Sequence, residues 1–204
     1  MIDKFCCYLT KKIKNEMPEL DEEKLEVINY GINLIIGEIP KILLLFVVGF
    51  IIGKGYEMLF AFFALLPLKA VAGGIHLKTH LGCFLCTNVL YIGTILLSTI
   101  NYFTTPIAKY VTIFLVWVFG MFMIYLYAPA DTESLPILRK SERKIKKILS
   151  YIFFSITLIA AIMVNNVMYS NILWIGALVQ ILTITRLAYI ITNNKYGYEN
   201  GQLV

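Results

Sequence analysis

One histidine and one cysteine in this chain are spaced to act together. His76 closes the run Gly73-Gly74-Ile75-His76, and Cys83 follows seven residues later. The chain has only two histidines and four cysteines in 204 residues, and the stretches flanking this interval are almost wholly apolar. A cysteine attacks a carbonyl as its thiolate, so it needs a base or a lowered pKa, and a neighbouring imidazole supplies both. Cys83 is expected at the start of a helix, where unpaired backbone N–H groups favour an anion. The N–H groups around Gly82 and Cys83 are then candidates for an oxyanion hole. Gly73 and Gly74 permit backbone conformations closed to other residues and can turn His76 back toward the sulfur. A turn is needed, because residues 76 and 83 of one straight helix would stand about 10 Å apart along its axis.

Spacing leaves other readings open. His80 is three residues from Cys83 and would be the nearer imidazole on a regular helix. His76, His80, Cys83 and Cys86 also read as H-x3-H-x2-C-x2-C, four zinc-type ligands set closer than in most structural zinc sites. On that alternative the protein is a non-enzymatic membrane metal-binding or transport module. A third reading has no chemistry: a Gly-Gly loop carries a histidine, and Cys86 is an apolar residue facing lipid.

The elements that hold these residues are set by composition. Hydrophobic residues make up 59% and charged residues 15% of the chain, and mean hydropathy is +0.76. Soluble domains carry about a quarter charged residues, so an all-α integral membrane protein forming a single domain over 1–204 is expected. The first 27 residues are rich in Lys, Asp and Glu, and no short apolar region precedes a small-residue cleavage site, so no cleavable signal peptide is expected. Six apolar runs are long enough to cross a bilayer as helix, at 28–53, 56–71, 82–101, 106–127, 149–166 and 170–192. The second is short and carries Pro67.

Lys and Arg set the expected orientation. Fourteen fall in the N-terminal segment, the polar intervals 69–81 and 129–148 and the C-terminal tail, against Lys54 and Lys109 in the loops between. By the positive-inside rule these segments and both termini face the cytoplasm of a multi-pass membrane protein. Residues 1–18 form an amphipathic helix: Ile2, Phe5, Cys6, Leu9 and Ile13 recur at helical spacing, with Lys4, Lys11, Lys12 and Lys14 on the remaining surface. Such a helix suits an interface of anionic lipids and ends near Pro18. Cys6 and Cys7 then act as small apolar fillers. Within the spans, Glu38 and Lys41 flank Pro40 and neutralise each other, while Arg186 in the sixth run snorkels toward the cytoplasmic end.

The motif Lys69-x3-Gly73-Gly74-x-His76-x6-Cys83 resembles the signature of the accessory gene regulator protein B (AgrB) family of quorum-sensing endopeptidases. Ala128-Pro129-Ala130-Asp131-Thr132-Glu133, followed by Pro136 and the basic run to Lys147, resembles that family's cytoplasmic loop. An Arg usually opens the first motif; Lys69 keeps the cation and loses the planar bidentate fork. The resemblance implies His76 as base and Cys83 as nucleophile, in preference to His80, with no metal or other cofactor. It implies cleavage of an AgrD-type propeptide through a thioester and closure of a thiolactone or lactone ring. Lys69, Gly73 and Gly74 would contact substrate, and Arg139, Lys140 and Arg143 would dock the acidic tail typical of such precursors. A homodimer in contact with anionic membrane lipids, and no nucleic-acid partner, complete the expectation.

Overall fold

The computed structural model describes residues 2–17, 19–77, 79–103, 105–132, 137 and 139–196. Of the features named above, residues Pro18, Lys78, Glu133 and Pro136, and the side chains of Ile2, Lys4, Phe5, Cys6 and His80, lie outside the described residues. Among the described residues the chain forms eight helices: α1 (Ile2–Glu16), α2 (Glu22–Ile51), α3 (Gly55–Ala72), α4 (His80–Ser98), α5 (Pro106–Tyr127), α6 (Lys140–Met163), α7 (Val167–Thr183) and α8 (Arg186–Ile191). Helices α3, α4, α5 and α6 are long and apolar enough to cross a membrane, and α7 is a shorter apolar helix. The architecture is thus the all-α membrane bundle expected from composition. Large apolar side chains such as Phe63, Val89, Phe114, Leu115, Phe122 and Ile156 stand exposed on its outside, where water would penalise them and hydrocarbon would not.

Helix α7 is the hub. Nearly every residue from Ser170 to Thr183 is buried, because α3, α4, α5 and α6 pack round it. Such a helix is apolar on all sides, and the polar groups it retains must find partners inside the protein. Asn171 does so by donating from Nδ2 to the carbonyls of Ser98 (3.2 Å) and Ile100 (2.8 Å), which ties α7 to the end of α4.

Several element boundaries differ from the sequence expectation, each for a local reason. Helix α2 begins at Glu22, ahead of the span at 28, because Asp21 caps it by accepting the Lys24 N–H at 2.8 Å. Pro67 lies inside an unbroken α3; in a membrane helix, packing against neighbours carries the chain past the one hydrogen bond that proline removes. Helix α6 starts at Lys140, so most of the basic run is its first turns, where Glu142 and Lys146 pair at 2.8 Å. The run at 170–192 is divided between α7 and α8, since Thr185 caps a new helix by accepting the Ala188 N–H. Arg186 is therefore the exposed first residue of α8, not a residue within a span. Glu38 and Lys41 do form an ion pair.

Helix α1 packs along α2, with Leu9 and Ile13 half-buried, Lys11 and Lys12 exposed, and Thr10 Oγ1 donating to Asn29 Oδ1 at 3.0 Å. The intervals around Gly73 and Ala130 meet at one end of the bundle, as a short parallel bridge. Tyr189 joins them there, its Oη 3.0 Å from the Asp131 carbonyl.

Candidate active site

The site is built on the end of α3. Ala70, Val71 and Ala72 prolong the helix, so Lys69 sits in its last turn and not in a loop. The helix then stops at Gly73, whose φ of +77° and successor Gly74 at φ +144° turn the chain away. A side chain is excluded from both positions by geometry as well as by φ. A Cβ on Gly73 would fall 2.2 Å from the Ala130 carbonyl oxygen, and one on Gly74 would fall 2.8 Å from Thr183 Oγ1. The turn is pinned by Ala130 N–H to Ala72 O (2.8 Å) and Gly74 N–H to Ala130 O (3.0 Å). It is also held by Gln180 Nε2, which donates to Gly73 O at 2.8 Å.

His76 follows in irregular backbone, and Thr79 then opens α4. The bend required between His76 and Cys83 is therefore present. Thr79 Oγ1 accepts the Gly82 N–H at 3.1 Å, and Thr79 O accepts the Cys83 N–H at 2.9 Å. This corrects the oxyanion-hole expectation, because both proposed donors are already engaged in starting the helix.

His76 and Cys83 line one cavity of about 70 Å³, together with Lys69, Cys86, Gln180 and Thr183. A smaller cavity of about 30 Å³ shares Lys69, Thr87, Gln180 and Thr183 and extends toward Thr94 and Gly176. His76 keeps solvent exposure, whereas Cys83 is half-buried. The imidazole is nevertheless pulled below the ordinary histidine value, first because the protein crowding the ring disfavours the cation, then because the Lys69 ammonium repels it; Glu38 opposes both. At neutral pH His76 is accordingly an uncharged proton acceptor. Modification of His76 by diethylpyrocarbonate in a His80→Gln background should titrate with a midpoint below 6.5. Lys69→Met should move that midpoint upward, since the imidazolium then loses a repelling neighbour. An unmoved midpoint would remove Lys69 from the electrostatics of the site.

The basic segment divides in two. Arg143 reaches inward, with Nη1 donating to Asp131 Oδ2 at 2.7 Å and Nη2 to Pro129 O at 3.3 Å. The Asp131 side chain is only 1% exposed and also accepts the Ile137 N–H at 2.9 Å. Arg139 and Lys140 are exposed. Of the three cations expected to dock substrate, Arg143 is thus committed to the fold.

Gln180, Thr183 and Tyr189 escaped the sequence reading. The available signal was Gln180 itself, an amide within an apolar run that had to find a polar partner. Among the described residues no three His, Cys, Asp or Glu side chains gather to hold a metal ion, so the four-ligand cluster draws no support from them.

Comparison with known proteins agrees with the motif. The family model described as Accessory gene regulator B matches residues 6–184. An AgrB-like protein of Clostridium perfringens strain SM101 is 29% identical over 220 residues, covering 100% of both chains. An AgrB-like protein of Listeria monocytogenes strain HCC23 is 25% identical, covering 88% of this chain and 86% of its own length. One from Clostridium beijerinckii is 28% identical over 67% of each chain. No solved structure matches the chain.

Proposed function

Since the chain belongs to the accessory gene regulator B family, we propose that it is a membrane cysteine endopeptidase that processes an AgrD-type signal precursor. Family membership ties the protein to agr quorum sensing. The observation that carries the finer reading is that His76 and Cys83, from a loop and a helix, line the same cavity.

Cys83 gives its thiol proton to His76, and its sulfur bonds to the scissile carbonyl carbon of the precursor. The peptide C–N bond breaks, His76 passes the proton to the leaving amine, and the acidic tail departs. The acyl group remains on Cys83 as a thioester. An internal thiol or hydroxyl of the precursor then attacks that carbonyl, its proton passes through His76, and Cys83 is restored as a thiol while the ring closes. Exchange of one thioester for another is nearly balanced in free energy, so closure depends on excluding water and holding the second nucleophile near. With the Gly82 and Cys83 N–H groups engaged, Lys69, a cation lining the cavity, offsets the charge that develops on the carbonyl oxygen.

The basic segments favour a site on the cytoplasmic side, by the positive-inside rule. Inverted membrane vesicles supplied with precursor should cut it and, when quenched early, hold a precursor fragment as a hydroxylamine-sensitive adduct. Right-side-out vesicles should do neither. Cutting without any adduct would sink the thioester, and cutting only by right-side-out vesicles would sink the orientation.

Arg139 and Lys140 guide the acidic tail. Their replacement with Gln should raise KM for precursor several-fold with kcat nearly unchanged, and added salt should shrink the difference, because exposed charges are screened over about 8–10 Å. Equal KM values for variant and parent would leave these cations as orientation signals only.

A further inference from the structure

Between the glycine turn at the end of α3 and the cap of α4, His76 lies in a stretch, Gly74 to Leu77, with no regular secondary structure. Its place is therefore set by whatever fixes the two ends of that short segment. Thr79 fixes one end through its bonds to the first turn of α4. At the other end two side chains from far along the chain grip successive carbonyls. Gln180, in the last turn of the buried hub helix α7, donates to Gly73 O at 2.8 Å. Tyr189 of α8 places its Oη 3.3 Å from Gly74 O and 3.0 Å from Asp131 O. Tyr189 is 1% exposed and stacks on Tyr196 at 4.0 Å between ring centroids, so its hydroxyl is held in place. The interruption between α7 and α8 is what brings Tyr189 back to the turn.

We propose that Gln180 and Tyr189 are positioning residues for His76, fixing the Gly73–Gly74 turn so that the imidazole faces Cys83 across their shared cavity. This inference rests on the His76–Cys83 reading above. Both side chains are distant in sequence from the motif, at separations of 107 and 115 residues from the carbonyls they approach. Losing either bond takes from a carbonyl of the turn the side chain that holds it and frees the loop to relax, which separates base from nucleophile without removing either.

The test uses full-length protein in membranes with Cys6, Cys7 and Cys86 replaced by Ala, so that Cys83 is the only thiol. Its alkylation by iodoacetamide is followed at neutral pH, alongside kcat and KM for precursor. A thiol with a base beside it to take its proton is alkylated faster than one without. Gln180→Met and Tyr189→Phe should each slow alkylation several-fold, toward the rate of His76→Ala. Both variants should lower kcat at nearly constant KM. Tyr189→Phe removes a single oxygen, and so remains informative if Gln180→Met inserts poorly. The inference is overturned if His76→Ala slows alkylation while both variants track the parent, or if they lose activity through KM with the alkylation rate unmoved. If His76→Ala itself leaves the rate unchanged, the pairing of His76 with Cys83 falls, and this inference with it.

Discussion

Cys83→Ala should abolish cleavage of the precursor, because it removes the thiol assigned to form the thioester, and the other thiol lining the cavity, Cys86, is given no such part. Cys83→Ser should be nearly as damaging, since a hydroxyl is far harder to deprotonate than a thiol. His76→Ala should also stop the reaction while leaving precursor binding close to normal, because it removes a proton carrier and not a docking surface. Cys86→Ala should retain substantial activity even though Cys86 lines the same cavity, and His80→Ala should as well. A zinc site behaves differently: all four substitutions fail together, and chelators inhibit the parent protein. Quantifying released tail for the five variants separates these cases. Cleavage surviving Cys83→Ala, or lost in His80→Ala and kept in His76→Ala, would refute the assignment of nucleophile and base.

Arg143→Ala should be the most destabilising single change in the basic segment, and its effect should not resemble that of a docking residue. The substitution leaves the Asp131 carboxylate almost fully buried without its cation. Breaking a buried pair from one side costs about 3–5 kcal/mol, much of it the penalty of the stranded charge. Asp131 lies next to Ala130, which holds the Gly73–Gly74 turn, so the damage should spread to the site. Denaturation of the detergent-solubilised protein should show the loss for Arg143→Ala. The double variant Asp131→Asn with Arg143→Met should recover most of it, because no unpaired charge remains. If Arg143→Ala unfolds with the parent and only KM changes, Arg143 is a substrate contact and its pairing with Asp131 is incidental.

Much of the site was legible because its signals are local. A His and a Cys seven residues apart, preceded by two glycines, mark the interval to look at and require a bend for the two to meet, and the positive φ at Gly73 and Gly74 supplies it. The limits of α3 and α6 were less legible. Apolar residues after Lys69 and a basic but helix-compatible run after Arg139 let both helices run into intervals whose polarity suggested loops. Gly82 and Cys83 were open to misreading for a related reason. Their N–H groups do lie at a helix start, yet the Thr79 side chain and carbonyl take them, and that competition depends on backbone geometry.

The sequence by itself determined the class, the motif that holds the proposed nucleophile and base, and the clustering of positive charge, because hydropathy, residue type and charge count need no three-dimensional information. Only the tertiary structure decided what holds these groups together. It joined Ala130 to the glycine turn, placed Gln180 and Tyr189 on its carbonyls, and withdrew Arg143 from the surface to pair with Asp131. The physical reason is that such bonds form between residues 12 to 115 positions apart. They arise from each buried polar group's need for a partner inside an apolar bundle, and the helix packing around α7 determines which partner it meets.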